Sequence, residues 1–183
     1  MNSTAVTQLN RRRWLAAALG TTAVAVGLSA MPEVRLFAQQ ITDFIEGPPV
    51  PDIKPERLSE HVWMIYSKDG FPTPENQGMM ANIVFVVTSK GVVVLDSGGS
   101  LQIGEMAIRM IKTVTHQPVV AVFNSHYHGD HWLGNHAFVK HYGESLPIYS
   151  LQSNIDKLKG TEGNLWRSLM ERWTNQATMG TQV

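Results

Sequence analysis

The central part of the chain carries apolar runs that predict short strands. Residues 61–66 alternate in a strand-like pattern, and residues 80–88 and 91–95 are two β-branched runs. Because Ser89-Lys90-Gly91 joins these two runs, they predict a β-hairpin. Residues 119–123 are continuously apolar, which is typical of a strand buried on both faces.

A different apolar period separates the hairpin from the last of these strands. Apolar side chains recur at helical spacing over residues 101–114, directly after a turn at residues 96–100. Strand, helix and strand in this order predict a sheet that is covered by helices, and hence an α/β fold. A weak strand is predicted at residues 148–149. The helical stripe over residues 165–173 is interpreted as core packing, with a partner surface as the alternative.

The N-terminal residues have the layout of an export signal. Three arginines at residues 11–13 directly precede Trp14, Leu15 and a small, apolar run that ends at Ala30. This order resembles the twin-arginine signal, so we expect the twin-arginine translocation machinery to carry the protein to the periplasm. An uncleaved signal that anchors the protein in the inner membrane is the alternative, although residues 14–30 are few for a membrane span.

The domain organisation follows from this signal and from the prolines behind it. Residues 1–38 are predicted to be the signal peptide, with cleavage after Ala30 or Ala38. Residues 39–60 are predicted to be a linker, because its proline-rich part suits neither a helix nor a central strand. Residues 61–183 are assigned to one domain, which is what a length of 183 residues allows.

Composition narrows the classes of partner and ligand. The chain has 15 basic and 15 acidic residues and no basic run after residue 13, so no nucleic-acid partner is expected. It has no cysteine, which excludes disulfides and thiolate ligands within this sequence. Any metal must therefore be held by histidine and carboxylate side chains.

The chemistry of the chain is concentrated in residues 124–136, which contain the pattern His-x-His-x-Asp-His. Alternation along an extended segment puts His126 and His128 on one side, where both can reach one cation, and Asp130 and His131 follow where the chain must turn. Imidazole and carboxylate are suitable ligands for zinc, and two such pairs can serve two adjacent ions. Surface or capping histidines without a metal are the alternative. The remaining histidines of the chain are interpreted as solvated or core side chains: His61, His116, His136 and His141.

Residues 126–131 resemble the signature of the metallo-β-lactamase fold superfamily. Leu95-Asp96-Ser97-Gly98 resembles the acidic turn of that family, and Gly134-Asn135 resembles its small-polar pair after the ligands. The order of strand, hairpin, acidic turn, helix, strand and histidine motif is also similar. The resemblance implies a four-layer αβ/βα sandwich, of which this chain holds the first αβ half.

The resemblance also implies a ligand set for zinc, with two ions in the full-length protein. His126 and His128 would hold the first ion, and Asp130 with His131 the second. Asp96 and Asn135 would support the ligand loop through hydrogen bonds, as metal ligands generally require. For Asp96, capping of the helix that starts near residue 100 stays open as the alternative.

The activity implied by this resemblance is metal-dependent hydrolysis. A metal-bound hydroxide would attack an ester, thioester, amide or lactam bond of a small-molecule substrate, and Asp130 would orient the attacking water as the catalytic residue. A true β-lactamase and a non-catalytic metal-binding fragment are the alternatives. Members of the superfamily take further ligands from a second half, but no histidine follows His141 here. We therefore expect an N-terminal portion of a longer hydrolase, and the activity of these 183 residues by themselves stays open.

One loop is a candidate cover for the site. Residues 71–80 contain Phe71, Met79 and Met80 next to glycines. These three side chains look exposed, and one interpretation is that they form an apolar flap that excludes water from the site. Ordinary packing beside the hairpin is the interpretation that we prefer.

Overall fold

The computed structural model describes residues 46–183. The predicted signal peptide and the first residues of the predicted linker lie outside the described residues. Among the residues that are described, none of the helices is long and apolar enough to cross a membrane.

A mixed sheet of six strands forms the centre of the structure, and its spatial order follows the chain order. The strands are β1 (Glu56–Arg57), β2 (Val62–Ile65), β3 (Ile83–Thr88), β4 (Gly91–Leu95), β5 (Val119–Phe123) and β6 (Ile148–Tyr149). Strands β1 to β4 pair antiparallel, whereas β4 with β5 and β5 with β6 pair parallel. The predicted hairpin is therefore present as β3 and β4, and the α/β class is confirmed.

Five α-helices and one π-helical turn accompany the sheet in the described part of the chain. They are α1 (Leu101–Val114), α2 (Gly129–Trp132), α3 (Asn135–Tyr142), α4 (Gln152–Lys157), the π turn (Leu158–Glu162) and α5 (Gly163–Trp173). Helix α1 begins where the sequence predicted, because the Ser100 hydroxyl accepts a hydrogen bond from the Ile103 backbone N–H at 3.2 Å. Parallel strands need such a crossover, and α1 provides it between β4 and β5.

One face of the sheet packs against α1 and α3. Phe85 and Val94 of the sheet are fully buried in the same cluster as Met106 of α1 and Phe138 of α3. The two helices meet closely at Gly104, where a Cβ would lie 2.5 Å from the Gly134 carbonyl oxygen. The helices therefore form one layer and the sheet a second, as expected for the first αβ half of the sandwich.

The opposite sheet face keeps apolar side chains at its surface. Leu95, Phe123 and Tyr149 are neighbours in register across β4, β5 and β6, and each is more than two-fifths exposed. The rings of Phe123 and Tyr149 stack with their centroids 4.8 Å apart. The prediction that residues 119–123 are buried on both faces is therefore wrong for the end of β5, where apolar side chains line both faces but Phe123 is 44% exposed.

The ordered fold begins before residue 61, earlier than the sequence pattern predicted. Val50 lies in the proline-rich segment, yet it is only 3% exposed and belongs to the core cluster. Its carbonyl oxygen accepts a hydrogen bond from Arg109 at 2.9 Å, and the same guanidinium binds the Asp52 carboxylate. Prolines exclude regular structure, but they do not prevent an extended segment from packing against a helix.

Candidate metal centre

The predicted site lies where two parallel strands end. Asp96 follows β4, and residues 124–128 follow β5, so the parallel pairing brings both segments to the same edge of the sheet. The backbone N–H of Asp96 donates to the Phe123 carbonyl oxygen at 2.8 Å and fixes this junction. Helix α2 begins at Gly129 and turns the chain back, as expected for the residues after His128.

The structure brings all four predicted ligand residues together. The ring centroid of His126 lies 4.8 Å from that of His128 and 4.1 Å from that of His131. The Asp130 Oδ2 atom lies 3.0 Å from His131 Nε2. Three imidazoles and one carboxylate therefore form a single cluster at the end of β5.

Asp96 is the hydrogen-bonding centre beneath this cluster. Its Oδ2 atom accepts from His131 Nδ1 at 2.7 Å and from the Ser125 hydroxyl at 2.8 Å. Its Oδ1 atom accepts from the Ser125 backbone N–H at 2.8 Å. The helix-capping role that the sequence left open for Asp96 is taken by Ser100. Asp96 has a φ of +58°, an unusual backbone conformation that aspartate tolerates better than most residues.

Ser125 is part of the site that sequence reasoning missed. Its hydroxyl oxygen lies 3.0 Å from His126 Nδ1 and donates its proton to Asp96. The hydroxyl therefore accepts from a protonated Nδ1 of His126, which leaves the Nε2 lone pair free for a ligand. Its only signal in the sequence is a hydroxyl side chain directly before the first motif histidine.

Asn135 joins the acidic turn to the ligand loop, as its predicted supporting position requires. Its Oδ1 atom accepts from the Ser97 hydroxyl at 2.8 Å and from Asn124 Nδ2 at 3.2 Å. Its Nδ2 atom donates to Asn124 Oδ1 at 2.8 Å. Asn124, which the sequence analysis did not single out, also donates to the His131 carbonyl oxygen at 3.0 Å. The two paired amides thus hold both ends of the ligand segment.

The loop at residues 71–80 packs against the core at Met79, whereas Phe71 stays exposed. Phe71 is 56% exposed, and its ring centroid lies 5.2 Å from that of Trp173 in α5. Met79 is only 4% exposed, so the expectation of an exposed Met79 is wrong. Its side chain belongs to the core cluster, and its carbonyl oxygen accepts from the buried Ser67 hydroxyl at 3.0 Å.

The charges of the site are coupled through His131. Burial lowers the pKa of His131, but hydrogen bonds to Asp130 and Asp96 outweigh burial and raise that pKa to about 9. Burial raises the pKa of each of the two carboxyl groups, but the hydrogen bond with His131, further hydrogen bonds and the charge of His131 together outweigh burial and lower both. Burial, followed by repulsion from His131 and His128, lowers the pKa of His126. At neutral pH one imidazolium thus faces two carboxylates, which leaves a net negative charge that favours a cation.

The donor set suits zinc, although its atoms are not arranged for an ion. No group of three or more His, Asp or Glu side chains within residues 46–183 is placed to hold a metal. The Nε2 atom of His131 is instead ion-paired with Asp130 Oδ2 at 3.0 Å. The other oxygen of Asp130, Oδ1, is buried and has no hydrogen-bond partner. A buried carboxylate oxygen without a partner beside three imidazoles fits a zinc site chemically, and binding has to separate Asp130 from His131.

A family comparison identifies the segment that carries these residues. The sequence profile described as "Metallo-beta-lactamase superfamily" matches residues 77–169, about half of the chain. No curated protein matches the chain.

The solved structures to which the chain is similar include metallo-β-lactamases of low sequence identity. DIM-1 metallo-beta-lactamase is 17% identical, with a TM-score of 0.46 over 61% of this chain and 48% of that chain. The enzyme from Pontibacter korlensis is 23% identical, with a TM-score of 0.45 over 59% and 48%. FIM-1 from Pseudomonas aeruginosa, in its mono-zinc form, is 18% identical, with a TM-score of 0.47 over 63% and 49%. The chain spans about half the length of each of these structures.

Proposed function

The chain belongs to the metallo-beta-lactamase superfamily, and we propose that it carries the first set of metal ligands of an exported, zinc-dependent hydrolase. The observation that carries this proposal is the cluster of three imidazoles with the partnerless Oδ1 atom of Asp130. The proposed substrate is a small molecule with an ester, thioester, amide or lactam bond.

The proposed ligand roles follow from the atoms that remain free. His126 would bind one ion through Nε2, because its Nδ1 is engaged by Ser125. His128 would be its second ligand. His131 and Asp130 would bind the other ion, with Nδ1 of His131 held by Asp96. Bound zinc supplies Lewis-acid polarisation of the scissile group and a nucleophilic water near neutral pH.

Asp130 has a second proposed role in the reaction. Its Oδ1 atom has no hydrogen-bond partner. The carboxylate is ionised at neutral pH, because its hydrogen bonds and the charge of His131 together outweigh burial and lower its pKa. An ionised, partly buried carboxylate beside the ligands accepts a hydrogen bond from a water molecule and orients its lone pair toward the substrate. Asp130 would also accept the proton that this water releases.

Metal binding without turnover is the second candidate function. It is favoured by the donor count of the cluster within residues 46–183, since three histidines and one carboxylate give each of two ions only two protein ligands. Catalytic zinc sites have three protein ligands and one open position. Hydrolysis by the purified chain of a chromogenic ester, a thioester or a cephalosporin would exclude this candidate, and the preferred substrate would identify the bond that is cleaved.

Export is proposed from the sequence of the N-terminal residues. We propose that the twin-arginine machinery transports the folded protein to the periplasm, so that zinc can be bound before transport. Replacing Arg11 and Arg12 by lysine should keep a tagged protein in the cytoplasm. Recovery of this variant from the periplasm at the wild-type level would contradict the proposed route.

Zinc content tests the site most directly. The double variant His126→Ala, His128→Ala should lose most of the zinc that the purified wild-type chain retains after dialysis. The matched control is His61→Ala with His116→Ala, because both of these histidines are exposed and distant in sequence from the motif. Equal zinc content in the two double variants would show that the ligand assignment is wrong.

A further inference from the structure

Two of the three clustered imidazoles are oriented by hydrogen bonds, and the third is not. Nδ1 of His126 is engaged by Ser125, and Nδ1 of His131 by Asp96. Among the described residues, no hydrogen bond reaches the ring of His128. The χ2 torsion of an imidazole without such a bond has broad minima, so packing must fix the orientation of the ring.

Two aromatic rings provide that packing. The centroid of the His128 ring lies 4.8 Å from the Tyr127 ring, with an interplanar angle of 80°. It also lies 4.8 Å from the Trp166 ring, at an angle of 39°. Tyr127 is its neighbour in sequence, whereas Trp166 comes from helix α5.

The close approach of Trp166 depends on a glycine within the motif. A Cβ at Gly129 would lie 2.8 Å from the Cβ and 3.2 Å from the Cγ atom of Trp166. Any larger residue at position 129 would therefore push α5 away from His128. Residue 129 directly follows His128, so the motif itself contains the space into which Trp166 packs.

Helix α5 is fixed in place by a second contact one turn further along. Met170 is almost completely buried, and its Cε atom would lie 2.8 Å from a Cβ at Gly78 and 2.7 Å from one at Gly99. The acidic turn and the loop before β3 thus form a socket for Met170. Met170 lies four positions after Trp166, so both side chains project from the same face of the helix.

A side chain that precedes the π turn, Lys157, also contacts the motif. Residues Leu158–Glu162 interrupt the helix, with Gly160 in a non-helical conformation. On the other side of this turn, Lys157 Nζ lies 3.7 Å from the centre of the Tyr127 ring. The segment from Lys157 to Trp166 therefore contacts two adjacent residues of the motif. Lys157 contacts Tyr127, and Trp166 contacts His128.

We propose that Trp166 is a positioning residue that holds the His128 imidazole in the orientation required for metal binding. This inference rests on the proposed function, because it assigns a metal to His128. The indole ring packs against the imidazole at a tilt of 39°, which restricts rotation of the imidazole and shields part of it from water. A tryptophan in an apolar helical stripe thus acts on the metal centre through one ligand.

Three variants of the full 183-residue chain separate positioning from general packing. Trp166→Leu keeps an apolar side chain but removes the ring, and Trp166→Phe restores a ring. Trp173→Leu is the matched control, because Trp173 lies on the same helix with its ring 6.4 Å from that of Trp166. Zinc affinity is measured by competition with a chromophoric chelator, and the cobalt(II) absorption spectrum reports ligand geometry.

We expect Trp166→Leu to weaken zinc binding about tenfold, as is usual when a partner of a metal ligand is lost. The cobalt(II) spectrum should change in this variant. Trp166→Phe should recover most of the affinity, and Trp173→Leu should bind zinc as the wild type does. Thermal unfolding of the metal-free proteins should show similar destabilisation for the two leucine variants, so that stability does not explain the difference in affinity.

Two different results would overturn two different statements. Equal zinc affinities for Trp166→Leu and Trp173→Leu would overturn the positioning role of Trp166, while the proposed function would stand. A wild-type chain that binds no zinc, or whose zinc does not depend on His126 and His128, would overturn the proposed function and this inference with it.

Discussion

The Asp96 carboxylate and the His131 imidazole form a hydrogen bond of 2.7 Å, although 35 positions separate them in the sequence. The parallel pairing of β4 with β5 creates this contact, because the segments after both strands leave the sheet at the same edge. Only about one-seventh of the Asp96 side chain is exposed. A buried carboxylate is stable there because three hydrogen bonds are directed at it.

Asp96→Asn should therefore weaken both the site and the fold. An amide keeps the size but loses the charge, and it offers one acceptor oxygen in place of two. We expect zinc affinity to fall about tenfold. The free energy of unfolding of the metal-free chain should fall by about 1–3 kcal/mol, measured with urea. The control is Asp156→Asn at an exposed position of α4, which should change neither quantity.

Gly134 is a position where even one methyl group should be strongly destabilising. A Cβ at residue 134 would overlap the carbonyl oxygen of Ser97. Moving the two backbone segments apart would break the hydrogen bond from the Gly134 N–H to the Gly98 carbonyl oxygen. We expect Gly134→Ala to cost about 3 kcal/mol or more of unfolding free energy. Gly70→Ala is the matched control, because nothing lies within 4 Å of its added Cβ. Similar unfolding midpoints for both variants would contradict this account.

The strands and the clustering of the four motif residues are the features that local sequence pattern predicts well. The period of apolar positions predicts α1, because this helix buries a continuous face, and the unbroken apolar run predicts β5. The ligand motif is similarly local, since its four residues lie within one short segment. These features need no knowledge of which distant segments meet.

Features that depend on distant contacts were not predictable in this way. The helical spacing of Trp166 indicates only a core residue. It cannot show that the glycine at position 129 leaves room for Trp166 beside His128. Val50 looked like part of a linker because nothing in a proline-rich run signals the salt bridge of Arg109 with Asp52. Met79 looked exposed because the sequence does not show that the loop folds back onto the core.

Ser125 should contribute to metal binding through His126. Ser125→Ala removes the hydroxyl that lies between Asp96 and His126 and leaves the Nδ1 atom of His126 without its partner. We expect a loss of several-fold in zinc affinity, smaller than that of Asp96→Asn because the direct bond from Asp96 to His131 remains. Ser125→Thr keeps the hydroxyl and should restore the wild-type affinity in the same chelator competition. A threonine variant as weak as the alanine variant would show that the hydroxyl is not responsible.

His136 should make the fold less stable in mild acid. Its Nδ1 atom lies 3.2 Å from the Gln182 backbone N–H, and an acceptor at this position must be unprotonated. Burial, together with the positive charge of Lys140, lowers the pKa of His136 below its ordinary value of 6.5. The unfolded chain, in which this pKa is ordinary, therefore binds more protons than the folded chain at pH values just below 6.5. The contribution of His136 to stability is complete above that pH and is lost as the pH falls below it.

His136→Gln should reduce the loss of unfolding free energy that mild acid causes. Glutamine does not titrate, so the variant should lose less unfolding free energy than the wild type between neutral and mildly acidic pH. Urea unfolding of the metal-free proteins at several pH values measures the difference in unfolding free energy between the variant and the wild type. The titration of the other groups is common to both proteins and cancels in this difference. The control His61→Gln replaces a histidine whose side chain is 66% exposed and should keep the full wild-type slope. If His136→Gln and the wild type lose the same unfolding free energy over this range, His136 is not held neutral by the fold.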